Sequence, residues 1–297
     1  MIALFFLILI LFILTQSDIS LYYAFHGLTL WYGKMVPSLL PFMIVMGVCV
    51  RQNITGKMVT IFKPILYPFF RCRSEVLYCI VVGFLCGFPM GAKVTTQMYL
   101  NGQLSKTEAD YLLSFCNNIG PVYCLSFVIP LLGIRNTAVF LGIMYGIPFL
   151  YGMVLRYTLY GKEMNTELMA THQVIPVKES VLQSLDQSIQ ESIQSITMLC
   201  GYMIFFNLLN LLPHMLCPGL QIYIAPLLEI TGGLGTLKDN YIMLSLIALS
   251  FGGLSCLAQT YSTMRGSDLS FGNYLLHRLI LTILSIPCYF FLLRFLF

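Results

Sequence analysis

The sequence predicts an all-α polytopic membrane protein, and three observations carry that prediction. Of 297 residues 58% are hydrophobic and only 9% charged, against roughly 45–50% and about 25% in an average soluble domain. Several apolar stretches reach the about 20 residues that cross the hydrocarbon core. Two of them are interrupted in the middle by glycine and polar residues, the first at 83–97 (Gly83 to Gln97, with Pro89) and the second at 250–260 (Ser250 to Thr260). A helix in lipid must satisfy every backbone group internally, so such a break is tolerated only where protein or a water-filled cavity covers it. Two Gly/Pro-broken, re-entrant-like helices at corresponding positions predict an inverted repeat with a polar site between its halves.

Charge and side-chain chemistry narrow the class. The net charge of +4 is small and its carriers are scattered, which excludes nucleic acid as a partner and leaves the basic residues to orient the chain in the bilayer. The ten cysteines stand singly in apolar surroundings and the four histidines (26, 172, 214 and 277) are dispersed. Neither set has metal-ligand spacing, so no metal and no other cofactor is expected. No nucleophile with a base and no cluster of acids and histidines is visible, and the acids nearest the broken stretches, Glu108, Asp110, Glu229 and Asp268, fall at segment ends. An enzyme is therefore not expected. No phosphate-binding glycine loop of the ATP-hydrolysing type is present either.

In chain order, residues 1–27 form an N-terminal membrane helix and its connection. Met1 to Thr15 lacks the basic start and small-residue cleavage site of a signal peptide, so a retained helix is favoured over a cleaved leader. The next segment, Leu28 to Val50, is kinked by Pro37 and Pro41. Residues 51–75 carry Arg51, Lys57, Lys63, Arg71 and Arg73 against Glu75 alone. The positive-inside rule puts this loop and the N-terminus in the cytoplasm. Within it Met58 to Phe70, with Pro64 and Pro68, is too short to span and reads as an interfacial or re-entrant helix. The first broken helix, Val76 to Leu100, follows. Ser105 and Glu108 then have the spacing of a capping box, in which each side chain satisfies a free backbone N–H of a helix start.

A second polar interruption, Ser114 to Pro121, contains Asn117 and Asn118. Buried amides in hydrocarbon need partners, so they either glue helices together or line the same site as Lys93. Thr137 to Tyr157 is a further span, and residues 161–181 are a polar linker. From Leu182 a helical stripe of Leu182, Leu185, Ile189, Ile193 and Ile196 opposes a face of amides and hydroxyls that reads as solvated or cavity-lining. The piece Gln221 to Ile230 ends in a glycine-rich Thr231–Gly235. The second broken helix spans Tyr241 to Thr263, and a last segment runs from Tyr274 to Phe297. Counting the short pieces, about seven to nine crossings are expected at about 20 residues each.

Laying Ser267-Asp268-Leu269-Ser270 over Gly102-Gln103-Leu104-Ser105 puts Gly252 on Gly87 and Thr260 on Thr95, a separation of 165 residues. Residues 28–160 and 182–297 thus read as two repeats in which a spanning helix, a short apolar piece, a broken helix, a polar turn and a helix follow one another.

The assembled motifs, Pro37-Ser-Leu-Leu-Pro-Phe42, Gly87-Phe88-Pro89-Met90-Gly91-Ala92-Lys93, Ser114-Phe-Cys-Asn117-Asn118 with Pro121, and Ser250-Phe-Gly-Gly-Leu-Ser255 with Gln259, resemble the YlbJ-like family of sporulation integral membrane proteins, which carry the nucleoside-recognition or Gate domain. The resemblance covers most of the chain from about residue 28. It departs from the family at Phe88, where a tyrosine is usual. It implies two Gate-like repeats, a multi-pass protein of the cell membrane of an endospore-forming bacterium, and a transport-like scaffold, since Gate domains also occur in nucleoside and ferrous-iron transporters. A fold-level label does not name a substrate.

The expectation is a transporter- or channel-like protein that binds or moves a small polar or anionic solute, nucleoside-like solutes included. Lys93 would supply the cationic contact and Gly87, Pro89, Gly91, Gly252 and Gly253 the opened backbone. Thr95, Thr96, Gln97, Asn117, Asn118, Ser255 and Gln259 would form the polar lining. A lysine inside a spanning segment is costly enough to mark a cavity, unless the break brings it to the interface. The competing expectation is a non-transporting assembly factor. Expected partners are the lipid bilayer, the solute, and other sporulation membrane proteins or a second copy of the chain.

Overall fold

The computed structural model describes residues 2–52, 54–161, 164, 180–237 and 241–296, with backbone alone at 50, 55–58 and 292, and these are helix and turn throughout. Most of the 161–181 linker lies outside the described residues. Among the described residues, five helices are long and apolar enough to cross a membrane, and shorter apolar helices occur as well. The protein is an all-α polytopic membrane protein.

Helix α1 (Ile2–Thr15) is apolar all round and almost wholly exposed, as lipid-facing surface is. Helix α2 (Ser17–Leu30) runs through a π-helical turn, Trp31–Met35, into α3 (Val36–Arg51). The continuous Ser17–Cys49 span of 33 residues is about 50 Å long. It begins eleven residues before the expected Leu28 because Ser17 and Asp18 open a helix rather than a loop: the acid sits in the first turn, where the helix dipole favours it, and Ser20 Oγ returns to Gln16 O at 2.7 Å. The π turn lies just before Pro37, where a break in the regular bonding accommodates the ring. Helix α4 (Ile54–Phe70) is the short Pro64/Pro68 piece.

The first broken helix consists of α5 (Ser74–Cys86) and α6 (Met90–Leu100), separated by Gly87 at φ +73° and a cis Phe88–Pro89 peptide. After the Gly102 turn, α7 (Lys106–Leu113) starts on a capping box, with Ser105 Oγ accepting from Glu108 N at 3.1 Å and Ser105 N donating to Glu108 Oε2 at 3.0 Å. Arg73 joins it from the start of α5 with a 2.5 Å ion pair to the same buried carboxylate. The chain is then unwound from Ser114 to Gly120 before α8 (Pro121–Leu132) and α9 (Thr137–Tyr157).

Three glycines one helical turn apart explain how an extended segment lies against the break. A Cβ on Gly83 or Gly91 would stand 2.1 or 2.5 Å from Cys116 O, and one on Gly87 2.2 Å from Gly120 N. Lipid gives helices no hydrophobic reason to associate, so close backbone approach across small residues supplies the packing.

Helix α10 (Val181–Leu208) exposes the amides and acids of its polar face and departs from the expectation at its serines. Ser184, Ser188 and Ser192 are buried, whereas Leu182, Leu185 and Ile193 are exposed. The serine row packs on α3, where Gly47 leaves room for Ser188, and Ile196 of the apolar stripe is buried as well. At its start Gln52 donates to Ser184 at 2.7 Å, and Arg51 pairs with Glu191 at 2.5 Å and bonds Gln187. The end of α3 and the start of α10 therefore lie on one side.

Two short helices, α11 (Leu211–Leu216) and α12 (Gln221–Leu228), lead to α13 (Ile230–Leu237), so Thr231–Gly235 is helical rather than a loop end. Gly233 lets α13 approach α12 at Pro226. The second broken helix is α14 (Ile242–Phe251) and α15 (Gly253–Thr263), with Gly252 at φ +89° and Gly253 at φ +80°. Helix α16 (Phe271–Leu296) ends the described chain. Helices α5 and α14 end, and α7 and α16 begin, at the separation that relates Gly87 to Gly252. Ser270 Oγ also caps α16, accepting from Asn273 N at 3.2 Å, as Ser105 caps α7.

Candidate functional site

The two breaks meet. A Cβ on Gly252 would lie 3.3 Å from the Phe88 ring and 3.5 Å from Arg278 Nη2. Phe88 N donates to Asn118 O at 2.7 Å, which ties the first break to the unwound segment. Arg278, one span away on α16 and 4% exposed, reaches across. Its Nε donates to Phe251 O at 3.0 Å, where α14 ends, and its Nη1 donates to Asn118 Oδ1 at 3.0 Å and Asn117 O at 3.3 Å. Its Cζ lies 4.8 Å from the Phe88 centroid, a cation–π distance. Carbonyls freed at the breaks thus solvate the guanidinium, and no carboxylate among the described residues pairs with it. Its Nη2 has no hydrogen-bond partner there.

Asn117 and Asn118 lie in this cluster and are fully engaged. Asn117 Nδ2 donates to Thr260 Oγ1 at 2.9 Å and Tyr274 Oη at 3.3 Å, and its Oδ1 accepts from Ala92 N at 3.3 Å. Asn118 Nδ2 donates to Phe115 O at 2.7 Å while its Oδ1 holds Arg278. Gly87, Pro89, Gly91 and Gly252 form the surrounding backbone, and Gly253 packs on α12 near Ile230.

Lys93 is elsewhere. Its Nζ donates to Ser195 Oγ on α10 at 2.9 Å, near the Arg51–Glu191 pair, instead of meeting the asparagines. Gln97, one turn beyond Lys93 on α6, is exposed near the helix end. Thr95 and Thr96 are fully buried, and their hydroxyls have no partner.

Gln259 belongs to a third place, a cavity of about 50 Å³ beside the crossing. Gln259 Nε2 donates to Ser255 Oγ at 3.1 Å. Across the cavity stands Glu229, 3% exposed, in the single extended residue between α12 and α13. Its carboxylate caps α13, accepting from Thr231 N at 3.1 Å and Gly232 N at 2.7 Å, and from Asn207 Nδ2 at 3.1 Å. Phe88 lines this cavity too, with Tyr123 and Thr231.

The sequence reasoning missed both buried charges. Arg278 lies within the last span, where an ionisable residue is a functional candidate by default, and that signal was available. Glu229 gave a weaker one: two apolar pieces flank it, and only the fold shows that the joint is interior.

Fold and site together define an all-α polytopic membrane protein whose two broken helices cross over a buried arginine. The chain is similar to the sporulation integral membrane protein YlbJ of Bacillus subtilis (strain 168), with 25% identity over 228 residues, covering 71% of this chain and 55% of that protein. It spans about half the length of that curated relative. No family model and no solved structure matches the chain.

Proposed function

We propose that this is a transporter- or channel-like protein of a sporulating cell, which binds or moves a small polar or anionic solute, nucleoside-like ones included, where the two broken helices cross. The name of the similar Bacillus protein supports the link to sporulation and to the membrane. One observation carries the solute reading: a guanidinium buried in a spanning helix, met by helix-break carbonyls rather than by an acid, with Nη2 unbonded. Charge buried at that cost is retained where it serves a solute or an ion. The matched helix ends of the two halves, and the Arg51–Glu191 and Gln52–Ser184 contacts that bring the start of α10 beside the 51–75 loop, support an inverted repeat with both of those ends cytoplasmic.

The full use of Asn117 and Asn118 within the protein favours a second reading, in which the polar centre only holds helices together and the protein is an assembly factor that engages other sporulation membrane proteins or its own copies.

Uptake into proteoliposomes of labelled nucleosides, phosphates and carboxylates, with melting temperatures across the same panel, separates the two. The solute reading expects one class to be taken up or to stabilise the protein, Arg278→Lys to weaken the response, Arg278→Gln to abolish it in folded protein, and Lys93→Met to leave it largely intact. A panel without effect on wild type sinks the solute reading.

A further inference from the structure

We propose that the cavity beside the helix crossing is a binding site for a small ammonium-type cation, with Glu229 as its counter-charge and Gln259 as its second acceptor. The site is distinct from the Arg278 cluster. Among the described residues no basic side chain pairs with Glu229. Its three hydrogen bonds come from two amides at the start of α13 and from Asn207. They stabilise the ionised carboxylate, yet the helix terminus offers only about half a unit of positive charge, and a charge so deeply buried requires compensation.

Gln259 points independently to a ligand. It is 5% exposed, lines the same cavity, and spends its Nε2 on Ser255, which leaves Oε1 without a partner. Tyr123 donates its hydroxyl to Thr231 Oγ1 at 3.3 Å, so its proton is already engaged within the protein. The polar and aromatic groups in its otherwise mostly apolar lining are Glu229, Gln259, the Thr231 hydroxyl that lies beside Glu229, and the rings of Phe88 and Tyr123. Acceptors and aromatic faces without a committed donor suit an ammonium group, which binds to both. About 50 Å³ holds such a group. A proton on Glu229 would neutralise it but needs neither the space nor the oxygen of Gln259. A metal ion asks for more ligands than are present, and no metal-sized cluster of His, Cys, Asp or Glu occurs among the described residues.

The test uses the purified full-length chain in detergent at pH 8, with N-methylglucamine chloride replaced at constant ionic strength by ammonium, methylammonium, sodium or potassium chloride. Ammonium or methylammonium is expected to raise the melting temperature with the logarithm of its concentration, by about 3–5 °C at roughly ten times its dissociation constant. Gln259→Met is expected to weaken apparent affinity about tenfold and Glu229→Gln to remove the shift. Because Glu229 also caps α13, a second measurement avoids that variant: modification of Glu229 in the wild type by a hydrophobic carbodiimide, read by peptide mass spectrometry, is slowed by the same cation. The proposal is overturned if no ammonium cation shifts the wild type, if sodium or potassium acts equally, if Gln259→Met responds like wild type, or if carbodiimide labelling is indifferent to the cation.

Discussion

The two helix breaks look alike in sequence and differ in what surrounds them. At the first, Gly83, Gly87 and Gly91 abut backbone atoms of residues 116–120 at distances no Cβ tolerates, and the turn beyond is fastened by the Ser105–Glu108 box and the Arg73 pair. At the second, a Cβ on Gly252 would have the Phe88 ring and the Arg278 guanidinium as its nearest neighbours and one on Gly253 would stand 3.3 Å from Ile230 N and Pro226 O, ordinary or slightly tight distances, and its turn has the Ser270 cap without a glutamate. A fixed break therefore stands against an adaptable one.

Gly87→Ala should show the largest effect. The new methyl would meet Gly120 N at 2.2 Å in a left-handed conformation that L residues avoid. Backbone on both sides cannot yield cheaply, so a loss above about 4 kcal/mol is expected. Little folded protein would elute from size exclusion in detergent. A Gly87→Ala protein that melts like wild type would end the idea of a fixed first break.

Glu108→Gln comes next. The substitution keeps the capping geometry but removes the charge facing Arg73, and it strands a mostly buried guanidinium. A cost of about 3 kcal/mol is expected from breaking a buried pair on one side, read as a lower melting temperature that Arg73→Met in the same chain partly restores.

Gly252→Ala should cost less, about 1–2 kcal/mol for the left-handed backbone alone, since its Cβ would press at 3.3 Å on a ring that can turn. Phe88→Leu in the same chain should recover part of that loss, whereas it should do nothing for Gly87→Ala. Equal losses at Gly87 and Gly252, with no coupling to Phe88, would erase the distinction between the breaks.

The sequence made the breaks legible because their residues are local instructions. Gly87 and Gly252 carry positive φ, Pro89 cannot continue a helix bond, and Ser105 with Glu108 specifies a helix start whatever surrounds it. The span Thr137–Tyr157 was legible for the same reason, as length and apolarity suffice. The facing of helices was not. In water an apolar stripe marks the buried side, but lipid is as apolar as leucine, so Leu182, Leu185 and Ile193 of α10 stand exposed while Ser184, Ser188 and Ser192 are buried. Lys93 went to Ser195 for a related reason: a long flexible cation seeks the nearest polar surface, and α10 offers one. Asn117 and Asn118 could be placed at the crossing, but whether their amides were free or spent was decided by Thr260, Tyr274 and Arg278, remote residues that only folding brings together.

The smallest effect belongs to the contact that joins the two turns. Lys106, opening α7, pairs with Asp268 at 2.8 Å, and Tyr99 Oη donates to the same carboxylate at 2.6 Å, so the turn of the fixed half holds the turn of the adaptable half. The pair is solvent-exposed, and such bridges contribute little and fade with salt. Lys106 and Tyr99 hold the Asp268 carboxyl below its ordinary 3.8 through their hydrogen bonds. A carboxylate whose folded value is depressed contributes stability above its unfolded value, and loses that contribution as pH falls through the folded one. The bridge should be intact at neutral pH and released only below about pH 4. Asp268→Asn should therefore lower the melting temperature slightly at pH 7 in low salt and by less in 1 M salt, where the Debye length of about 3 Å comes down to the separation of the pair. Because the bridge restrains the adaptable half, the same variant should raise hydrogen exchange in residues 264–270 but leave residues 101–105, held by the Glu108 network, unchanged. Equal acceleration in both turns would mean that the first turn leans on the bridge as much as the second, and that the asymmetry between the halves stops at the glycines.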